Sequence, residues 1–466
     1  MIKRILLGIF ATLSLGLAVA HEAQDDAVLE WNEIAIEALH GQPPPPAMLH
    51  AAMVQLAVFE AVNAITREFQ SSMDGLNAES DASAPAAAVS AAHRVLSTLL
   101  PDRATELSAA RDRSLARIPA GHAREAGITV GEAAAAAVLA SRLNDGSDRP
   151  ESYLPGSAQP GEWQLTAGCP PTGGVFLHWR NVKTFVIRSA DQFRSSPPPA
   201  LDSPQYTRVF NEVKEVGARD STQRPPDRTT VARFYAVFGD AELWNTVARQ
   251  LAAPRRQTLT QNARAFALLN VALHDLVVSL VETKYYYHLW RPETAIPAAE
   301  SDGNDRTIAD PSYAPLIQTP CHPSYPSGHA ATSGVGREML ERLFGPRGHH
   351  IAVTSPDLPG VVLRYSTLQQ IADDIDDARV FGGIHFRTDQ MAGGLQGRQV
   401  ATYVWQHAFR PARHCGTRAP DTQAGNHGVP RRGDSARACD ARRREHDLQQ
   451  ERAREARALF GVDQAS

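Results

Sequence analysis

The chain is short of lysine. Lys3, Lys183, Lys214 and Lys284 are the only four among its 47 basic residues. Arginine is therefore the default cation, and a lysine at a patterned position signals a need for a compact ammonium. Cysteine is equally sparse. Cys169, Cys321, Cys415 and Cys439 have no metal-knuckle spacing, which excludes a zinc-ribbon site and leaves their disulfide pairing open. The formal net charge of -4 shows no basic excess, so no nucleic-acid partner is expected. Beyond the N-terminus no run reads as long and apolar enough to span a bilayer, and no stable membrane span is expected.

The first twenty residues carry a secretory pattern. Lys3 and Arg4 form a charged start, residues 5–17 are apolar, and Ala18-Val19-Ala20 is an A-x-A cleavage site. The mature chain is expected to begin at His21, in the periplasm or outside the cell. An oxidising compartment permits disulfides there.

Hydrophobic spacing predicts an all-α architecture. Helices are expected at residues 27–39, 47–69, 86–100, 103–116 and 123–143. Glycine and proline then break the pattern over 160–196, where the β-prone Val175-Phe176-Leu177 allows a short strand pair. Further helices are expected at 204–216, 229–251, 258 through the Lys284 region, 328–344, 366–378 and 386–409. Composition divides the chain into a signal peptide (1–20), an all-α domain (21–409, with its motif-bearing half at about 258–409) and an arginine-rich polar tail (410–466). The tail reads as disordered or loosely attached, with a charged helix at 442–459 as the alternative.

Three segments carry charge suited to one point. Lys284 and Arg291 are seven residues apart, almost two helical turns, which places both on one helical face. The neighbours Tyr285-Tyr286-Tyr287-His288-Leu289-Trp290 are aromatic, so these cations are expected among half-buried groups. Pro292 disfavours helix at Arg291. Pro326-Ser327-Gly328-His329 is a helix start with Ser327 as N-cap, and free amides at such a terminus bind anions. In the stretch from Arg379 to Asp389, Gly382-Gly383 should break the helix. His385 and Asp389 are then i,i+4, so the carboxylate can hold Nδ1–H and leave Nε2 free. Arg387 competes for that carboxylate. Three cations, two imidazoles, a hydroxyl and a glycine amide together suit phosphate or its mimic vanadate.

The order and spacing of these residues resemble the type 2 phosphatidic acid phosphatase and vanadium-dependent haloperoxidase superfamily. The shared signature is Lys284, six residues, Arg291-Pro292; then Pro326-Ser327-Gly328-His329; then Arg379, five residues, His385, three residues, Asp389. Ala378 departs from the serine that many phosphatases carry. Trp31-Asn32, residues 61–65, 189–193 and 210–214, and Trp290-Arg291-Pro292 are similar to the bacterial secreted haloperoxidase-like branch, over roughly residues 28–409.

The resemblance implies paired helical bundles with the site at one end of the second bundle. It implies vanadate as cofactor, with vanadium on His385 Nε2. Lys284, Arg291, Arg379, Ser327 and Gly328 would hold the oxygens, His329 would act as acid–base, and Asp389 would orient His385. Hydrogen peroxide and halide would be the substrates. His322 resembles the position of bromide-using members and, with Val281, forms a candidate halide pocket. The same atoms also describe an acid phosphatase working on phosphomonoesters through a phosphohistidine. A non-catalytic oxyanion-binding protein needs the cations but not His329. Copper held by His21 and His93 would require a β-sandwich. Helical surfaces of this kind allow a homodimer.

Overall fold

The computed structural model describes residues 26–156 and 158–412. The signal peptide, His21, Cys415, Cys439 and the tail with its 442–459 helix all lie outside the described residues.

Polar N-caps and prolines start the helices of the first bundle. In α1 (Ala27–Ala38) the Asp26 carboxylate accepts the amides of Val28 and Leu29. Helix α2 (Pro44–Thr66) begins inside the proline run, three residues earlier than its pattern suggests. Proline fits the first turn because that turn needs no amide donor. The alanine-rich α3 (Ala84–Leu99) packs against α2, α4 (Ala104–Ala116) and α5 (His122–Ser141). Gly131 of α5 lies so close to α3 that an added Cβ would fall 2.4 Å from the Ala87 carbonyl oxygen.

A long irregular segment follows, with 3-10 turns at Leu177–Asn181 and Ala190–Phe193. The strand pair allowed near Val175 is absent from it. Gly173 and Gly174 make only isolated bridges to Tyr153. The fold's one hairpin among the described residues lies later, where β1 (Arg347–Val353) pairs antiparallel with β2 (Leu363–Thr367). There Val353 and Ile351 are buried and pack with the second bundle, which isolated glycine bridges cannot do.

The second bundle contains α6 (Pro204–Gly217), α7 (Pro226–Val237), α8 (Asp240–Ala252), α9 (Leu259–Tyr287), α10 (Pro292–Ala295), α11 (Gly328–Phe344), α12 (Leu368–Phe381) and α13 (Arg387–His407). Residues 229–251, expected as one helix, are two. Phe238 is extended (ψ 122°) and Asp240 starts a new helix after Gly239. The expected start of α12 at 366 falls in β2 instead, because Thr367 is both strand end and N-cap.

Helix α9 joins the two bundles, packing on α2 from one side and on α11 and α13 from the other. Helices α2 and α9 do meet the length and composition of a membrane span, with mean hydropathy 1.5 and 1.6, contrary to the sequence expectation. They are nevertheless 83% and 94% buried within the fold, so both are core helices. Each large apolar side chain buried on them contributes about 1.5–3 kcal/mol. Helices α11 and α13 touch through small residues. A Cβ at Gly393 would lie 2.4 Å from the Ser327 carbonyl oxygen, and one at Gly397 would lie 1.9 Å from that of Ala331. This approach sets the N-terminus of α13 beside that of α11.

Several α9 side chains fasten the irregular segment, among them His274, Glu282 and the buried carboxylate of Asp275. Asp275, fully buried, accepts the amides of Phe185 (2.7 Å), Val186 (2.7 Å) and Ile187 (2.9 Å). Asp275→Ala leaves three donors without a partner, each costing about 1–3 kcal/mol when desolvated. The expected loss of stability is about 3 kcal/mol or more, read as a lower urea midpoint at constant slope. An unchanged midpoint would remove this anchoring role.

Candidate active site

Lys284 and Arg291 meet at one point, but not from one helical face. Helix α9 ends at Tyr287, and His288 turns the chain with a left-handed φ of 50°. Arg291 is extended (φ -92°, ψ 156°) as the residue before Pro292 and caps α10. The left-handed turn, not helical periodicity, brings its guanidinium back to the ammonium.

Lys284 Nζ donates to the carbonyl oxygens of Pro323 (3.0 Å), Ser324 (3.0 Å) and Pro326 (2.5 Å). It thereby stitches the loop before α11 to the end of α9. Burial, followed by the neighbouring Arg291, pushes the ammonium well below its usual range. Only a compact three-donor head fits three convergent carbonyls, which accounts for a lysine in an arginine-dominated chain.

Arg291 is completely buried and makes four polar contacts. Nε donates to the His322 carbonyl (3.0 Å) and Nη1 to the Ile384 carbonyl (2.9 Å). Nη1 also meets His385 Nε2 at 2.9 Å, and Nη2 meets His322 Nδ1 at 3.1 Å. A guanidinium can only donate, so His385 Nε2 is an acceptor. His385 must then carry its proton on Nδ1, which lies 2.9 Å from Asp389 Oδ2. His322 Nδ1 lies between that guanidinium and the Pro323 carbonyl oxygen, 3.2 Å away.

Asp389 is held in turn by Ser324, whose hydroxyl donates to Oδ2 at 2.6 Å, and by the Phe386 amide at 3.2 Å. Burial raises its carboxyl, opposed by Ser324 and Lys284. Arg387 does not compete for it. Its guanidinium goes to Glu212 and Asp377 instead, on the outer side of α13. His385 reaches this position because Gly383 takes φ 80° and lies against the Gly217 carbonyl, where a Cβ would fall 2.3 Å away.

Ser327 caps α11 by accepting the Ala330 amide at 3.5 Å, and its own amide donates to the Asp389 carbonyl at 2.9 Å. Gly328 follows, and a Cβ there would meet Leu280 Cδ2 at 3.5 Å. His329, half-buried, lies 3.9 Å from Asp240 Oδ2, and Asp240 Oδ1 accepts the Thr332 hydroxyl at 2.8 Å. Arg379 Nη1 donates to the Tyr235 carbonyl at 2.9 Å, while its buried Nε has no partner.

A cavity of about 220 Å³ connects these groups. Lys284, Gly328, His329, Arg379 and His385 line it, as do His322 and Val281. Ser327, Arg291 and Asp389 stand behind that surface. Burial beside the cations makes every imidazole here a weak base. His385 is pushed well below its usual range by burial and then by Arg291 and Lys284. His322 is pushed well below by burial and then by Lys284. His329 falls to about 4 through burial and then Arg379, with Asp240 opposing.

Ser324 and Asp240 are absent from the sequence reading. Asp240 fell within the helix expected at 229–251, and Ser324 within the proline-rich punctuation before Pro326. Their contacts span 65 and 92 residues of chain, so no local signal existed for either. Cys169 and Cys321 form a disulfide that fastens the irregular segment to the loop carrying His322. His93 lies in α3 with Nε2 3.3 Å from the Ser108 hydroxyl, inside a helical bundle that offers no copper-binding sandwich.

Residues 264–414 match the family described as VCPO second helical-bundle domain. Over 203 residues the chain is 25% identical to the vanadium chloroperoxidase of Curvularia inaequalis, covering 37% of this chain and 32% of that protein. Over 140 residues it is 34% identical to the vanadium-dependent bromoperoxidase of Ascophyllum nodosum, covering 27% and 24%. The chain thus spans about a third of the first curated relative's length and a quarter of the second's. The solved structure of a bacterial vanadium-dependent iodoperoxidase superposes with a TM-score of 0.67 at 26% identity, over 83% of this chain and 95% of that one. A holo-type bacterial vanadium-dependent chloroperoxidase superposes with a TM-score of 0.64 at 17% identity, over 78% and 91%, a likeness of fold.

Proposed function

This chain belongs to the superfamily that joins vanadium-dependent haloperoxidases with type 2 phosphatidic acid phosphatases, and we propose that it oxidises halide with hydrogen peroxide at a vanadate held by His385. The observation that carries this reading is the tautomer of His385. Asp389 takes Nδ1–H, and Nε2 presents a lone pair among three buried cations. A neutral imidazole so placed is a ligand for an electron-poor centre bearing negative oxygens.

The residues present fit such a group. Arg379 Nε is a buried donor with no partner, and the Nη1 hydrogen now on His385 Nε2 is a donor that an oxyanion oxygen could take. Arg379 and the Gly328 amide would meet the oxygens from the cavity surface, Arg291 would do so through the Nη1 hydrogen now on His385, the Ser327 hydroxyl would help from behind, and Lys284, its donors held by loop carbonyls, would add charge. Bound vanadate would supply the Lewis acid that makes peroxide electrophilic toward halide. The chain's own part is electrostatic: the preorganised, buried basic groups Lys284, Arg291 and Arg379 balance oxygen charge.

His329 is neutral at pH 7 and can accept a proton from incoming peroxide. An anion neutralising Arg379 would remove the second cause of its depression and let the imidazole hold that proton. Bromide is the favoured halide, because His322 and Val281 both line the cavity beside the cations. Action outside the cytoplasm is part of the proposal, supported by the A-x-A pattern and by the Cys169–Cys321 disulfide.

The test is dye bromination with peroxide and bromide, before and after orthovanadate loading, beside a phosphomonoester assay of the unloaded protein. Vanadate-dependent bromination is expected. Phosphate release that vanadate inhibits, without bromination, would transfer His385 to phosphohistidine chemistry. His329→Ala is expected to lower turnover about 10²–10⁴-fold, as for a removed general base, with vanadate still bound. Undiminished turnover in that variant would remove the acid–base role of His329. Vanadate binding with no turnover in the parent protein would leave oxyanion binding alone.

A further inference from the structure

We infer that the chain carries a second ligand site, a cavity at the C-terminal end of α13 that binds a small organic carboxylate with a flat apolar body. The site is independent of the haloperoxidase reading, because it shares no lining residue with the cradle cavity.

The cavity measures about 550 Å³, a size usual for small-molecule sites. It lies between the end of α5, residues 183–188 of the irregular segment and the end of α13. Val271 in its floor precedes Lys284 by thirteen residues of α9, so about 20 Å of helix separates it from the cradle.

The charge of this cavity has one sign. Arg142, Lys183 and Arg188 line it, and among the described residues no carboxylate does. The acids nearby are already engaged. Asp145 accepts from Arg142, Asp275 holds the amides of residues 185–187, and Glu60 accepts the hydroxyls of Ser71 and Ser72. Lys183 and Arg188 are exposed, and each brings a positive charge to the mouth.

Arg142 is the group that points to a ligand. Its side chain is only 3% exposed and rests on the Phe185 ring, 4.4 Å from the centroid. Nε donates to Asp145 at 2.9 Å, and Nη2 donates to the Lys183 carbonyl at 2.7 Å. Nη1 is buried and has no partner among the described residues. A buried guanidinium donor left unpaired is costly, and a carboxylate oxygen is a strong acceptor for it.

The remaining surface selects the body of the ligand. Leu56 and Val271 give a floor of buried hydrocarbon, and Phe185 contributes a ring. Along one side His407 stacks on Tyr403, with centroids 3.9 Å apart. An inorganic anion would leave this hydrocarbon uncovered. A neutral ring would leave Arg142 Nη1 unpaired. A flat aromatic acid satisfies both.

The probe is 2-naphthoate, titrated calorimetrically into the full chain with and without saturating orthovanadate. Saturable binding at one site, undisturbed by orthovanadate, is expected. Lys183→Glu combined with Arg188→Glu should weaken it at least tenfold. Both positions are exposed, so unchanged far-ultraviolet dichroism is expected in that variant. Lys214→Glu, an exposed reversal outside the cavity, should change affinity less than twofold and separates local from net charge. 2-Naphthalenemethanol, the same body without charge, should bind at least tenfold more weakly, as should acetate, the charge without the body. Absence of saturable binding, equal affinity in the double variant, equal affinity for the alcohol, or displacement by orthovanadate would each overturn the inference.

Discussion

His385→Ala is expected to lower vanadate-dependent bromination by about a thousandfold, which corresponds to about 4 kcal/mol of transition-state stabilisation. The size of the effect follows from geometry. His385 is the only imidazole among the described residues whose Nδ1 is held by a buried carboxylate and whose Nε2 faces three cations. Its removal should also abolish tight vanadate binding, measured by titration, while far-ultraviolet dichroism stays unchanged. More than a tenth of parental turnover in the variant would refute the assignment. Asp389→Asn should cost less, about 10–100-fold, because it disturbs the orientation of the ligand and leaves the ligand in place. The Ser324 hydroxyl remains beside it as partial support.

Arg291→Ala is the second large effect, about 10²–10³-fold in turnover, the usual consequence of deleting one donor from a preorganised anion site. One guanidinium here makes four polar contacts: with two backbone carbonyls, His322 Nδ1 and His385 Nε2. Burial lowers its own pKa to about 9, so it is still a cation at neutral pH. The variant also carries a pH signature. Burial is the largest cause of the weak basicity of His385, and Arg291 is the next. Protonation of Nε2 removes the lone pair, so vanadate binding is lost as pH falls through the folded pKa. Without Arg291 that pKa rises, and the acid limb of vanadate binding must move to higher pH. An acid limb that stays in place, or moves lower, would show that Arg291 does not set the charge state of His385.

The helical class and most helix positions could be read from periodicity and caps. Helices α1, α3, α5 and α9 follow apolar spacing closely, and Ser327 caps α11 as its sequence suggests. Where expectation failed, long-range packing overrode local pattern. The 229–251 run looks continuous, yet the chain breaks at Phe238–Gly239, which places Asp240 under His329. The strand signal at 175–177 was absorbed by a 3-10 turn tied to the disulfide. Hydropathy alone could not separate the buried core helix α9 from a membrane span, because both exclude water from every face.

The chemistry of the site was determined by the sequence itself. Residue types and their order specify how many cations, imidazoles and carboxylates the chain can offer, and i,i+4 spacing allows His385 to pair with Asp389, a pairing left free because Arg387 turns to Glu212 and Asp377. The tertiary structure decided which atoms face which. It turned Arg291 toward Lys284 through a left-handed residue, and it placed a guanidinium donor on His385 Nε2 and Asp389 on Nδ1 to select that ring's tautomer. It also brought Ser324 and Asp240 to the site. A proton's position on a ring depends on partners within about 3 Å, and here those partners come from segments 31 to 94 residues apart, so no local pattern could specify it.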